Sequence, residues 1–210
     1  MRKTVVFSLL VLVSMLSAKS QSFEGMIKYS NSYQSKIENL TNEQLNGLMG
    51  TQQVYVIKGD NYKSALNGSF TKLQIYRGDE NKSYTLTAKS DTLYWEDYSQ
   101  NQDVAISYEI KENQEIILGV PCDVIVVQTE KSKTYFYYNS KYTVNPELFK
   151  QHHFGNWYYT ISKTKALPLK TIFETEQFVM TSVATEITPM KLEDNVFEIQ
   201  NKNKVAKATW

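Results

Sequence analysis

Residues 53–76 read QVYVIKGDNYKSALNGSFTKLQIY, and their period decides the fold. Gln53 to Lys58 alternates as a half-buried strand, Gly59-Asp60 turns it, and Asn61 to Leu66 returns. Asn67-Gly68 is the strongest short hairpin signal in the chain, and Phe70 to Tyr76 is the strand that follows it. Three consecutive strands joined by tight turns predict an antiparallel meander.

The same grammar extends in both directions. Upstream, Phe23 to Tyr29 alternates with Phe23, Gly25, Ile27 and Tyr29 on one face. Between it and the meander, Ile37, Leu40, Leu45, Leu48 and Met49 fall near helical spacing. Thr41-Asn-Glu-Gln44 resembles a capping box and Gly50 is a stop, which predicts a helix from about Asn42 to Leu48. Downstream, turns at Gly78–Asn81 and Ser90-Asp91 bracket strands at Ser83 to Ala88 and Thr92 to Asp97. Strands follow at Val104–Tyr108 and Glu115–Leu118, and a hairpin pairs Cys122–Thr129 with Lys133–Tyr138. Asn145 to Lys150 reads as a short helical turn or loop crossing the sheet. Trp157–Thr160, Leu169–Thr175, Phe178–Ile187 and Val196–Ile199 complete the expected strands. No internal repeat or linker interrupts residues 21–200, which form one expected domain, with a flexible tail over 201–210.

The first twenty residues have a different character. Met1-Arg2-Lys3 is basic, Val5 to Leu16 is apolar, and Ala18-Lys19-Ser20 offers small residues where a signal peptidase cuts. Residues 1–20 therefore read as a cleaved signal peptide, leaving Gln21 first. The apolar run is shorter than the roughly 20 residues of a spanning helix, and no cysteine follows it. The expected location is periplasmic or extracellular, without a lipid anchor and without a transmembrane span. Removing Arg2, Lys3 and Lys19 from the 23 basic residues leaves 20 against 22 acidic ones. Without surplus positive charge, nucleic acid is not an expected partner. Cys122 is the single cysteine, so no internal disulfide forms.

Catalytic and metal signatures are weak. His152-His153 are the only histidines, and no further ligand stands at a diagnostic spacing, so the pair reads as an ordinary polar loop and no metal or cofactor is expected. Cys122 opens an apolar strand, where a lone cysteine packs as a small hydrophobe more often than it acts as a nucleophile. No two carboxylates are marked out as a glycosidase pair. The aromatic strands say more. Tyr135-Phe-Tyr-Tyr138 and Trp157-Tyr-Tyr159 are apolar or amphipathic on both faces. A strand with one wet face would alternate with charge, so both faces are covered. Rings with hydroxyl tips suit either a thick core or a pocket wall.

Four features taken together resemble a known group of proteins. They are the opening Phe23-x-Gly25-x-Ile27-x-Tyr29, the helix after it, the Gly119-x-x-Cys122 step and the closing Leu192-x-Asp194-x-x-Phe197-x-Ile199. With the signal peptide and the meander, they resemble uncharacterised exported Gram-negative proteins allied to the LolA/LolB lipoprotein-carrier superfamily. The resemblance implies an antiparallel sheet curled into a half-barrel, with helices on its concave face and acyl chains bound between the two. The chain departs from the carriers in having less helix, and Arg77, its one arginine after signal removal, stands before a turn.

The expectation is thus a mainly β (α+β) domain: a single curved antiparallel sheet, half-barrel and LolA-like, with one or two short helices on the concave face. Its expected function is non-enzymatic binding of an apolar or amphipathic ligand, a lipid or lipidated polypeptide. The cavity candidates are Tyr29, Leu93, Trp95, Phe136, Tyr138, Trp157, Tyr159, Phe173 and Met180. A one-residue slip in strand parity would invert any of these sets. An envelope protein-interaction module without a small ligand is the alternative, and a hydrolase of unknown class is the second.

Overall fold

The computed structural model describes residues 22–199 and 204–209. The signal peptide expected over residues 1–20 lies outside the described residues. The elements in chain order are β1 (Gly25–Ser35), α1 (Asn42–Met49), β2 (Gln52–Lys58), β3 (Asn61–Leu66), β4 (Thr71–Arg77), β5 (Lys82–Thr87) and β6 (Leu93–Asp97). They continue with β7 (Ser107–Ile117), β8 (Val120–Gln128), β9 (Ser132–Thr143), α2 (Trp157–Thr164), β10 (Ala166–Thr175), β11 (Phe178–Pro189) and β12 (Val205–Lys207).

Among the described residues, twelve strands form one open sheet in the order β12-β6-β5-β4-β3-β2-β1-β11-β10-β9-β8-β7. Two meanders meet at its centre. β1 leads outward through β2 to β6 on one side, while β7 to β11 run inward on the other until β11 lies against β1. That seam pairs Gly25 with Pro189 at one end and Ser35 with Phe178 at the other, with a bulge between Lys28 and Tyr29. All pairings are antiparallel except β12 on β6, which is parallel and makes the sheet mixed. The terminal segment expected to be flexible thus contributes a short edge strand.

α1 forms where the capping signal placed it. The Thr41 hydroxyl accepts from the Gln44 amide, and the Gln44 side chain accepts from the Thr41 amide. Gly50, at φ 90°, turns the chain out of the helix and donates to the Asn46 carbonyl. The hairpin tip between β3 and β4 docks on this end: Ser69 and Phe70 donate to the carbonyls of Gly47 and Leu48. Contact there is close, since a Cβ on Gly68 would lie 2.5 Å from the Met49 carbonyl carbon. The Asn-Gly signal therefore marks both a turn and a helix–hairpin junction.

Three expectations need correction. Trp157–Thr160 is not a strand but the start of α2, which buries Thr160, Ile161 and Thr164. Aromatic and β-branched residues favour strands locally, but the burial stripe over 157–164 has helical spacing and tertiary packing prevails. Val196–Ile199 is likewise not a strand. Residues 194–197 form a 3-10 turn whose Phe197, with Leu192, covers Ile75 of β4. The two strands expected at Val104–Tyr108 and Glu115–Leu118 are one irregular edge strand, β7, whose register shifts between Lys111 and Glu115.

Candidate functional site

Register assigns the side chains to faces. Ile57 pairs with Tyr62 and Tyr62 with Tyr76, so these three project to one side. Across the seam, Asn31 pairs with Ser182, Ser182 with Thr171, and Thr171 with Phe136, continuing the same side into the second meander. The chain between β9 and β10 lies over this inner face. A 3-10 turn at Pro146–Phe149 buries Phe149, and α2 follows after a reversal at Gly155 and Asn156, both at positive φ. The segment from β6 to β7 lies beside it. Asn156 holds the two together, accepting from the Asn101 side chain and the Ala105 amide and donating to the Asp103 carbonyl.

His152 stands at the centre of this cover. The polar-loop reading of the histidine pair fails for it, because it is 2% exposed. Its ring lies 4.5 Å from that of Tyr76 and 4.8 Å from that of Tyr98, and its Nε2 is 2.9 Å from the Tyr62 hydroxyl. Burial lowers its pKa to about 3, so the imidazole is neutral at ordinary pH. Tyr62 stacks on Tyr76 with ring centres 4.9 Å apart, and Phe154 stacks on Tyr98 at 4.4 Å. Burial also raises the pKa of the Tyr29, Tyr55, Tyr62 and Tyr98 hydroxyls, which stay protonated.

Between this cover and the sheet lies a hollow of about 300 Å³. Its wall draws on β1 to β4, β9 to β11 and the 152–157 cover. Tyr29 donates to the Pro168 carbonyl, Gln53 to Ser64, and Gln74 to the Tyr98 hydroxyl. Three polar atoms of the lining residues, the Tyr55 hydroxyl, the His152 Nδ1 and the Trp157 indole nitrogen, are buried with no hydrogen-bond partner among the described residues. A second, larger hollow of about 960 Å³ shares Phe136, Phe154, Gly155, Thr171 and Met180 with the first. It extends past Phe173 toward Glu96, Asp97, Asp103 and Lys207.

The nine sequence candidates divide. Tyr29, Phe136, Trp157 and Met180 line the inner hollow, and Phe173 joins Phe136 and Met180 in the outer one. Leu93 and Trp95 have the opposite parity. Trp95 pairs with Tyr84 and Tyr84 with Ile75, which places both candidates on the outer face. There Lys82 and Lys207 lie 4.7 and 5.6 Å from the Trp95 ring centre, although Trp95 also reaches the larger hollow. Tyr138 is buried with Ile125, Val127 and Ala166, and Tyr159 packs against that cluster beneath Lys163. Sequence reasoning missed Tyr55, Tyr62, Gln53, Gln74 and His152. The alternation of residues 53–76 held a signal for the first four, since Gln53 and Tyr55, Tyr62 and Ser64, and Gln74 and Tyr76 each share a parity.

Cys122 is fully buried, lines neither hollow, and has its thiol pKa raised by burial. Among the described residues, no three His, Cys, Asp or Glu side chains gather as a metal site. No described helix is long and apolar enough to cross a membrane.

No family model matches the chain, and no curated protein matches it. Among solved structures it is similar to an uncharacterized conserved protein from Thermus thermophilus, at 7% identity over 87% of this chain and 90% of that one, with a TM-score of 0.47. It is also similar to PNGF-II, at 12% identity over 88% of this chain and 31% of that one, with a TM-score of 0.45. Neither likeness bears on the chemistry of the hollows.

Proposed function

We propose that the protein is an exported, non-enzymatic carrier that binds an apolar or amphipathic molecule, a lipid or lipidated polypeptide, between its sheet and the cover over residues 146–164. The observation that carries this reading is the aromatic-walled hollow of about 300 Å³ adjoining one of about 960 Å³, sizes typical of ligand sites. Each methylene buried there stabilises the complex by about 0.8 kcal/mol. A half-barrel of the LolA/LolB kind belongs to the same proposal, and chain length supports it. Ten strand-to-strand steps separate β6 from β7, about 48 Å in a flat sheet. The link from Asp97 to Ser107 reaches only about 35 Å when fully extended, so the two strands approach each other by curling of the sheet.

The test is native mass spectrometry of gently purified protein beside a Thr171→Phe variant. Thr171 lines both hollows, and a ring there obstructs them. Retained lipid on the native chain, with at least tenfold weaker rebinding by the variant, is expected. A native chain that neither retains nor binds any lipid overturns the carrier reading. The mass of the exported form also checks cleavage before Gln21.

A second reading, interaction with another protein, has its own observation. β7 is an edge strand with Tyr108, Ile110 and Ile116 exposed, and Val104, Ile106 and Leu118 exposed beside it. An antiparallel second copy centred on Ile110 would set Glu109 opposite Lys111 twice, a self-complementary pairing.

A further inference from the structure

Resting on the carrier reading, we infer that the part of the ligand held in the inner hollow is uncharged and carries a hydrogen-bond acceptor, as an alcohol, ester or other neutral carbonyl does, and that the site discriminates against the carboxylate of a free fatty acid. Among the described residues, none that lines this hollow has a charged side chain. Its tyrosines and His152 are all neutral at ordinary pH. An ion placed there would give up water with no counter-ion to replace it.

The wall is nevertheless not inert. The Trp157 indole N–H can only donate, and it is buried without an acceptor. The Tyr55 hydroxyl, buried and also unpartnered, can act as a second donor, and His152 Nδ1, likewise unpartnered, is a third polar atom whose role follows the tautomer. Buried donors left unpaired are costly, so a ligand oxygen that meets them gains what a plain alkane cannot. The outer hollow offers an anion little more, because Glu96, Asp97 and Asp103 stand there against Lys207. A fatty-acid carboxylate is therefore disfavoured in either orientation.

The experiment compares four twelve-carbon probes by competitive displacement of a fluorescent probe at pH 7.5, each below its solubility limit or micelle concentration: dodecane, 1-dodecanol, methyl laurate and laurate. Dodecanol and methyl laurate are expected to bind at least tenfold more tightly than the other two. Trp157→Phe keeps an aromatic ring and removes the donor. It is expected to weaken dodecanol and methyl laurate about tenfold more than it weakens dodecane, the scale of one buried hydrogen bond. Laurate binding as well as the alcohol overturns the inference and leaves the carrier reading standing. So does a variant that weakens dodecane as much as dodecanol. Failure of all four probes overturns the carrier reading itself.

Discussion

His152 shows how one side chain can set the acid tolerance of the whole domain. In an unfolded chain a histidine takes up its proton near 6.5, whereas in the folded protein burial delays this to about 3. Between those values the unfolded state binds more protons. Stability is therefore fully present above about pH 6.5 and falls as pH drops toward 3. Urea denaturation at pH 7, 6 and 5 should show a loss approaching about 1.4 kcal/mol per pH unit at the acid end, the limit for one proton. The carboxylates with lowered pKa values, such as Glu174 beside Lys36 and Glu186 beside Lys28, add their own loss only below their ordinary range. His152→Gln should flatten the profile between pH 6.5 and 5. A native chain equally stable at pH 7 and pH 5 would contradict the buried, neutral imidazole.

At the scale of elements, α1 separates three roles of neighbouring residues. Thr41→Ala removes a cap and should cost about 1 kcal/mol in urea titration. Gly47→Ala meets no atom within 4 Å and should stabilise by about 0.5–1 kcal/mol, through helix propensity alone. Gly68→Ala pushes a methyl group into the backbone of Leu48 and Met49 and should cost more than the lost cap, about 2 kcal/mol. Equal effects at Gly47 and Gly68 would mean that the hairpin tip does not dock on the helix.

The α1 cap and the turns were legible because each depends on a few adjacent residues. So were β2 to β6, whose alternation and tight turns need nothing from afar, and the first half of β1, though not its continuation from Ser30 to Ser35. The face assignment of β6 was not legible. Leu93, Trp95 and Tyr94 are all plausible inward residues by type, and only pairing to β5 reveals the parity. α2 was lost for a related reason. Trp157, Ile161 and Thr164 carry a helical spacing, but the aromatic run Trp157-Tyr-Tyr159 has strand propensity. The packing of α2 against β8 joins residues about thirty or more positions apart. The site was half visible for the same reason: aromatic content showed that walls existed, and register decided which rings formed them.

For the whole molecule, the two ends of the sheet differ. One end is closed by the short parallel β12, while the other exposes β7 with its apolar residues. If copies pair through β7, sedimentation of the native chain should be concentration-dependent, and Ile110→Lys with Ile116→Lys should restore a single monomeric species. Ligand binding should survive both changes, because neither residue lines a hollow. A native chain that remains monomeric at about 1 mM, where even weak complexes form, removes the self-pairing reading.

The position of β1 also bears on how the polypeptide matures as it is made. The first strand emerges early and finds β2 at once, yet its other flank belongs to β11, whose last paired residue is Pro189. Until synthesis has passed that point, β1 remains half clothed, and the rings of Tyr29, Tyr55 and Tyr62 lack the far wall of their chamber. Closure joins partners more than 140 positions apart, a separation that slows folding. The nascent chain thus passes a long interval as an unfinished meander, during which a chaperone can engage it before the domain completes itself.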